Sequence, residues 1–239
     1  MRIIEKLNEK NNNLHSIRQP LIAFLGDSVT QGCYELYVKD GKVDTVFDSN
    51  NNYSTKLKEI LLTFFPSSSL NIINAGISGD RAEVGLRRLE RDVLSYNPDL
   101  VVVCYGLNDA TRKEAEYELY LNSLKSIFEK VKETGAEIIF MTPNLWTDKI
   151  DDSITDNLIY DAVKKVADCE KEGWLKKYIT SAKELCDKMD IPVCDCYKIW
   201  ETFKRGGVDV NLLLSNKANH PTRDMHYLFA YELVKTMFN

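Results

Sequence analysis

The sequence predicts an α/β fold, a three-layer α/β/α sandwich around a mostly parallel five-stranded sheet. Short apolar runs recur along the chain and end in turns that contain glycine or proline, which is typical of buried strands. Longer segments with apolar residues at helical spacing separate them, as parallel strands joined by helical crossovers require. No proline-rich or glycine-rich linker divides the 239 residues, so one domain over residues 1–239 is expected.

The first predicted elements surround a serine. Residues 1–19 predict a weak helical extension that packs on the outside of the domain. The apolar run Leu21–Leu25 predicts a buried strand that Gly26 stops, and Ser28 lies in the turn that follows. Residues 33–52 then form an excursion in which two short strands flank Asp40-Gly41, a favoured hairpin turn. This hairpin either covers the serine or decorates the edge of the domain.

The remaining segments alternate between helices and strands. Predicted helices cover residues 53–65, 81–96, 114–134 and 154–190, with a break near Gly173, and a last helix starts at His220-Pro221. Predicted strands cover residues 70–74, 99–105, 137–142 and 191–195. In the open 2-1-3-4-5 strand order, ligands bind beyond the carboxyl ends of the strands. The turns that carry Ser28, Gly79 and Asn108 all follow strand ends, so they should meet on one rim.

Charge and composition exclude several function classes. The chain has 31 Lys and Arg against 36 Asp and Glu, a net charge of −5, which argues against a nucleic-acid partner or an anionic membrane surface. No run approaches the roughly 18 apolar residues of a membrane span, and the first residues are too polar for a secretory signal, so a cytoplasmic location is expected. The six cysteines show no spacing typical of a metal site; Cys194 and Cys196 are expected to be small buried hydrophobic residues in one strand.

A serine hydroxyl needs a base, and the chain offers three histidines. His15 and His226 fall in predicted helices and are expected to be structural or exposed, whereas His220 lies in a loop on the predicted rim. Acyl transfer also needs donors for an oxyanion, which the amide of Gly79 and the side chain of Asn108 could supply. Each residue also has an ordinary interpretation, as a surface or capping histidine, a turn glycine or a helix cap.

Four segments together resemble the sequence blocks of the SGNH hydrolase superfamily, the GDSL esterases and lipases. They are Gly26-Asp27-Ser28-Val29-Thr30-Gln31-Gly32, Asn74-Ala75-Gly76-Ile77-Ser78-Gly79-Asp80, Gly106-Leu107-Asn108-Asp109 and His220-Pro221. The resemblance implies a flavodoxin-like fold with Ser28 as nucleophile and His220 as base. It also implies an oxyanion hole of the Ser28 and Gly79 amides and the Asn108 side chain, and neither a metal nor an organic cofactor.

The fourth block departs from the family pattern. An aspartate three residues before the histidine usually orients the imidazole in this family, but Lys217 occupies that position here. Asp209, Asp195 and Asp224 are the candidate replacements. A backbone carbonyl that holds the ring would serve equally well. Because the usual acid is missing, a non-catalytic ligand-binding relative is the alternative to an enzyme.

The resemblance implies two-step acyl transfer on a small acyl ester, with an O-acetylated carbohydrate as one candidate substrate and oligomeric state left open. Four aromatic residues adjoin the predicted site and either line a substrate pocket or pack in the core or at the rim: Tyr34, Phe47, Tyr105 and Trp146. A nucleotide-binding or flavin-binding domain is disfavoured, because neither Gly-x-Gly-x-x-Gly nor a Walker-type loop follows the first strand.

Overall fold

Five parallel strands form the central sheet of the computed structural model, which describes residues 1–239. The strands of this sheet are β1 (Leu21–Gly26), β4 (Asn71–Gly76), β5 (Leu100–Cys104), β6 (Glu137–Met141) and β7 (Val193–Cys194). Their order is β4-β1-β5-β6-β7 and every neighbouring pair is parallel, which confirms the predicted order. All residues of β1 and β5 are buried, as expected for the middle of a sheet covered on both faces.

Helices cover the sheet in two groups. The helices are α1 (Arg2–Asn12), α2 (Ser28–Gln31), α3 (Tyr53–Phe64), α4 (Ala82–Asp92), α5 (Leu107–Ala110), α6 (Tyr117–Glu133), α7 (Asn157–Lys171), α8 (Trp174–Met189), α9 (Cys196–Arg205) and α10 (Met225–Phe238). Helices α1, α3 and α10 pack together, and α4, α6 and α8 form the second group. None of these helices is both long and apolar enough to cross a membrane.

A separate antiparallel hairpin interrupts the alternation after α2. Its strands are β2 (Cys33–Lys39) and β3 (Lys42–Phe47), joined at Asp40 and Gly41, which both have positive φ as the favoured two-residue turn requires. The hairpin contacts α2 and α7 but pairs with no strand of the central sheet. Its position therefore depends on side-chain contacts with the body of the domain.

Two predicted boundaries near the carboxyl terminus are wrong for local reasons. The last helix begins at Met225 rather than at Pro221, because the backbone of residues 220–222 is bonded to residues 213–215: Ser215 N–H donates to the His220 carbonyl and Thr222 N–H to the Leu213 carbonyl. Strand β7 ends at Cys194, since Asp195 caps α9 by accepting from the Lys198 amide. Cys194 and Cys196 are both buried as expected, but only Cys194 lies in a strand.

Candidate active site

Ser28 is the first residue of α2, two residues after the end of β1. The turn between them is tight: a Cβ on Gly26 would lie 2.0 Å from Thr30 Oγ1 and 2.8 Å from the Cys104 carbonyl oxygen, so only glycine fits. The Asp27 carboxylate caps the helix by accepting from the Val29 amide at 3.0 Å. Asp27 is thus used as a helix cap, and the acceptor for His220 Nδ1 is another group, the Tyr34 carbonyl.

The structure brings Ser28 and His220 into direct contact. Ser28 Oγ lies 3.0 Å from His220 Nε2, and His220 Nδ1 lies 2.9 Å from the backbone carbonyl oxygen of Tyr34. A carbonyl can only accept, so Nδ1 carries the proton and donates it to Tyr34. Nε2 of the neutral ring is then the acceptor for the Ser28 hydroxyl, as a general base requires.

Burial keeps this imidazole neutral. Ser28 is 3% exposed and His220 is 5% exposed. Burial lowers the pKa of His220 from 6.5 to about 4, while the hydrogen bond to the Tyr34 carbonyl and the charge of Glu35 act in the opposite direction. The ring is therefore neutral at physiological pH and ready to accept a proton.

A turn organised by Asn216 presents His220. The side-chain oxygen of Asn216 accepts hydrogen bonds from the backbone amides of Ala218, Asn219 and His220, at 3.0, 2.9 and 2.9 Å. Its amide group donates to Asn219 Oδ1 at 2.9 Å. Sequence reasoning missed Asn216, although an asparagine ahead of a turn is a recognised signal for side-chain bonding to the following backbone.

None of the three candidate acids contacts the imidazole. Asp209 pairs with Lys149 at 2.7 Å, Asp195 caps α9 and bonds Thr142, and Asp224 lies at the start of α10. These predictions are wrong because the single Nδ1 hydrogen is already donated to the Tyr34 carbonyl.

Lys217, which stands where the family has its acid, faces away from the imidazole. It adopts a left-handed backbone conformation with φ 57°, and its ammonium lies 3.4 Å from the Asn211 carbonyl and 3.9 Å from Asp151. The alternative in which a backbone carbonyl holds the ring is the arrangement observed.

The buried histidine of α10 has a structural role, as expected. His226 is fully buried and its Nδ1 accepts from the Tyr53 amide at 3.0 Å, so it fixes the start of α3 against α10. Burial lowers the pKa of His226 to about 3, which keeps the ring neutral and able to accept from that amide. The other histidine, His15, is exposed.

The turn after β4 presents a free backbone amide to the site. The amide of Ile77 donates to the Gly26 carbonyl, the amide of Ser78 to Gln31 Oε1, and the amide of Asp80 to the Ile77 carbonyl, but the Gly79 amide makes no hydrogen bond. Gly79 has φ 81°, a conformation that other residues rarely adopt, and a Cβ there would contact nothing within 4 Å. Glycine is needed here for the backbone conformation, which leaves its N–H available.

The side chain of Asn108, in α5, extends to the turn that carries Gly79. Its side-chain amide nitrogen donates one hydrogen to the Asp80 carbonyl at 2.9 Å, which leaves the second hydrogen unused. The neighbouring Asp109 is buried and accepts from the amides of Ala82 and Gly106 at 2.9 and 3.1 Å. Asp109 thus joins the start of α4 to the start of α5 and fixes the two turns that carry Gly79 and Asn108.

Ser28 and His220 open onto a cleft of about 260 Å³. The hairpin residues Leu36, Val43, Asp44 and Thr45 form one wall, so the hairpin builds the site rather than decorating an edge. Other lining residues come from α7 and from the turns already described: Ala162, Val166, Ser78, Gly79, Asn108, Asn216, Ala218 and Asn219. Sequence reasoning missed the α7 contribution, because nothing in a helical pattern indicates which loop the helix will face.

The four aromatic residues predicted as a pocket do not line this cleft. Tyr34, Tyr105 and Trp146 are buried in the interior, and Phe47 is exposed beyond the cleft. Nearness in sequence to the site was a poor guide, since it does not determine the direction in which a side chain points. Of the other interpretation, packing in the core or at the rim, the core part describes Tyr34, Tyr105 and Trp146.

Most of the chain, including the candidate site, matches a known protein family. The model of the GDSL-like lipase/acylhydrolase family matches residues 24–228, which include Ser28, Gly79, Asn108 and His220. The chain belongs to this family. As a GDSL-family member it is a carboxylic-ester hydrolase, and curated relatives include proteins named acetylxylan esterase, arylesterase and esterase TesA.

Curated proteins match the chain at modest identity. An uncharacterized lipoprotein, YqeF, of Bacillus subtilis (strain 168) is 27% identical over 195 residues, which covers 74% of this chain and 79% of that protein. An acetylxylan esterase of Geobacillus stearothermophilus is 28% identical over 131 residues, covering 51% of this chain and 58% of the relative.

Solved structures of esterases share the fold. The acetyl xylan esterase AlAXEase superposes with a TM-score of 0.68 at 22% identity, covering 90% of this chain and 98% of the other. A two-domain esterase active on acetylated mannans superposes with a TM-score of 0.66 at 18% identity, covering 99% of this chain and 52% of the other. At these identities the likeness concerns the fold alone.

Proposed function

We propose that this GDSL-family hydrolase cleaves O-acetyl esters of neutral carbohydrates through a covalent acetyl-Ser28 intermediate. The observation that carries the proposal is the 3.0 Å contact between Ser28 Oγ and the unprotonated Nε2 of His220, at the floor of a cleft that also holds the unused Gly79 amide and Asn108 side chain. A nucleophile, a base and oxyanion donors are the parts that acyl transfer needs.

The reaction follows from these positions in two steps. His220 Nε2 takes the Ser28 proton while Oγ attacks the acetyl carbonyl carbon, and the resulting oxyanion accepts from the Ser28 and Gly79 amides and Asn108 Nδ2. Collapse breaks the ester bond, and His220 returns its proton to the sugar oxygen, which leaves as a free hydroxyl. Water then enters, loses a proton to His220 and attacks the carbonyl carbon of acetyl-Ser28. His220 returns that proton to Ser28 Oγ as the acyl bond breaks, so Ser28 is restored and acetic acid leaves and ionises to acetate.

The size and lining of the cleft support a short acyl group and a neutral alcohol. Its volume of about 260 Å³ is below the roughly 300–1,000 Å³ of pockets that enclose drug-sized ligands. Its walls combine small apolar side chains with amides and hydroxyls, and Asp44 is the only charged side chain among the lining residues. Amides and one carboxylate suit sugar hydroxyls, whereas an anionic sugar would meet the like charge of Asp44. The names of the relatives active on acetylated xylan and mannan point to the same substrate class.

The serine mechanism is tested by Ser28→Ala in purified protein. Hydrolysis of an activated acetate ester should fall at least about 1,000-fold, and a fluorophosphonate probe should label the unchanged protein but not the variant. Ser95→Ala, which removes an exposed hydroxyl that bonds only the Arg91 carbonyl, is the matched control. An active Ser28→Ala variant, or a folded parent protein that the probe leaves unlabelled, would refute the mechanism; the second result would favour the non-catalytic alternative.

The substrate class is tested by comparing kcat/KM on acetylated xylo- and manno-oligosaccharides with that on acetylated uronic-acid oligosaccharides and on esters of acids with eight or more carbons. The neutral acetylated sugars should be hydrolysed fastest. A preference for the long-chain esters would contradict the substrate assignment while leaving the serine mechanism intact.

A further inference from the structure

The acceptor that orients His220 belongs to the hairpin and not to the central sheet. Tyr34 is the second residue of β2, and its carbonyl accepts from His220 Nδ1 at 2.9 Å. The hairpin pairs with no strand of the central sheet. The orientation of the His220 ring therefore depends on the contacts that hold the hairpin against the rest of the domain. The residues that dock the hairpin therefore bear on catalysis.

One arginine holds both ends of the hairpin. Arg223 donates from Nη1 and Nη2 to the two carboxylate oxygens of Glu35, at 2.6 and 3.2 Å, and from Nε to Asp48 Oδ2 at 2.9 Å. Glu35 lies at the start of the hairpin and Asp48 directly after its last strand. The planar guanidinium can make these three bonds together, which a lysine ammonium cannot reproduce.

Arg223 also contacts Tyr34, the residue whose carbonyl accepts from His220 Nδ1. Its guanidinium carbon lies 4.1 Å from the centroid of the Tyr34 ring, a cation–π distance. Arg223 follows His220 by three residues, so the segment that carries the base also holds the peptide that orients it. A continuous set of contacts thus runs from His220 through the Tyr34 peptide and ring to Arg223 and back along the chain to His220.

We propose that Arg223 is a positioning residue for the reaction: it locks the Tyr34 carbonyl against His220 Nδ1 and so replaces the orienting carboxylate that position 217 lacks. The proposal rests on the proposed serine mechanism. Arg223 and Glu35 side chains are 36% and 46% exposed, so their ion pairs contribute little to global stability. The contribution of Arg223 is therefore expected in the rate and not in the folding.

The test compares Arg223→Lys and Arg223→Ala with Arg87→Ala, which removes an exposed arginine that pairs with Glu83 at 2.6 Å on α4. Both Arg223 variants should lose about 10- to 100-fold in kcat, because a misplaced base costs rate steeply, while KM changes less than about twofold and the urea midpoint is unchanged. The downfield proton NMR resonance of the His220 Nδ1–H should shift or broaden, and millimolar guanidinium should restore part of the activity of Arg223→Ala. Arg87→Ala should change none of these.

Retention of kcat and of the Nδ1–H resonance in both Arg223 variants would overturn the inference. Loss of activity only in proportion to loss of folded protein would do the same. The two proposals fail separately, since an inactive Ser28→Ala together with fully active Arg223 variants refutes only the positioning role, and an active Ser28→Ala refutes the mechanism itself.

Discussion

The two sides of the active site are built in different ways. Ser28, Gly79 and Asn108 stand on turns at the ends of three neighbouring strands, and buried charges hold those turns together. His220 stands on a turn outside the sheet, and a peptide carbonyl and partly exposed ion pairs fix it. The nucleophile side should therefore be coupled to the stability of the whole domain, whereas the base side should respond to mutation mainly in rate.

Arg88 is a buried side chain that connects the elements on the Ser28 side of the site. It is 6% exposed and bonds Asp80, which is 8% exposed, at 2.7 Å. The same guanidinium also donates to the carbonyls of Ala75 and Gly26 and to the hydroxyl of Tyr105, at 2.6, 3.0 and 3.1 Å. One buried side chain thus joins the ends of β4 and β1 and the residue after β5, directly beneath the turns that carry Ser28, Gly79 and Asn108.

The largest effect on stability is expected from removing the Arg88 guanidinium. Arg88→Met should lower the free energy of unfolding by about 3–5 kcal/mol, because Asp80 is left as an unpaired buried carboxylate. Urea unfolding followed by circular dichroism measures it, with Arg87→Met on the exposed face of α4 as the control. If Arg88→Met unfolds at the same urea concentration as Arg87→Met, the proposed contrast between the two sides of the site is wrong.

A smaller effect is expected on the base side at Asn216. Asn216→Ala leaves three backbone amides without their acceptor and should cost about 1–3 kcal/mol of stability, with a loss of about 10- to 100-fold in kcat as His220 moves. Asn216→Asp keeps an acceptor in the same place and should retain most of both. Equal damage from the two substitutions would show that the three-way acceptor is not what shapes the turn.

The pH dependence of the rate tests the environment of His220 without any mutation. Because burial lowers the pKa of His220 to about 4, the ring stays neutral as the pH falls through 6.5. The value of kcat/KM for a neutral ester at pH 5 should remain at least about half of that at pH 7 and decline with a midpoint near 4. A midpoint near 6.5, measured where circular dichroism shows folded protein, would mean that the imidazole is far more hydrated than its position indicates.

The sequence was informative where chemistry and backbone geometry need particular residue types. The α/β/α layering follows from the alternation of elements, and Ser28, Gly79 and Asn108 could be located because the turns after three predicted strands also resemble the sequence blocks of a known family. Every residue has a backbone carbonyl, in contrast, so the identity of residue 34 does not indicate that its carbonyl accepts from His220. The candidate acids and the aromatic pocket were wrong for a related reason, since both depended on side-chain directions that packing decides.

The backbone conformation of the Asn216 turn also limits how this enzyme could be redesigned. Lys217 occupies the left-handed position of the turn and its side chain points toward Asp151, so a carboxylate introduced by Lys217→Asp would point away from the ring. A contact between an aspartate and His220 Nδ1 would require the turn to be rebuilt and the hairpin peptide to be displaced together. A single substitution at position 217 is therefore expected to leave His220 held by the Tyr34 carbonyl.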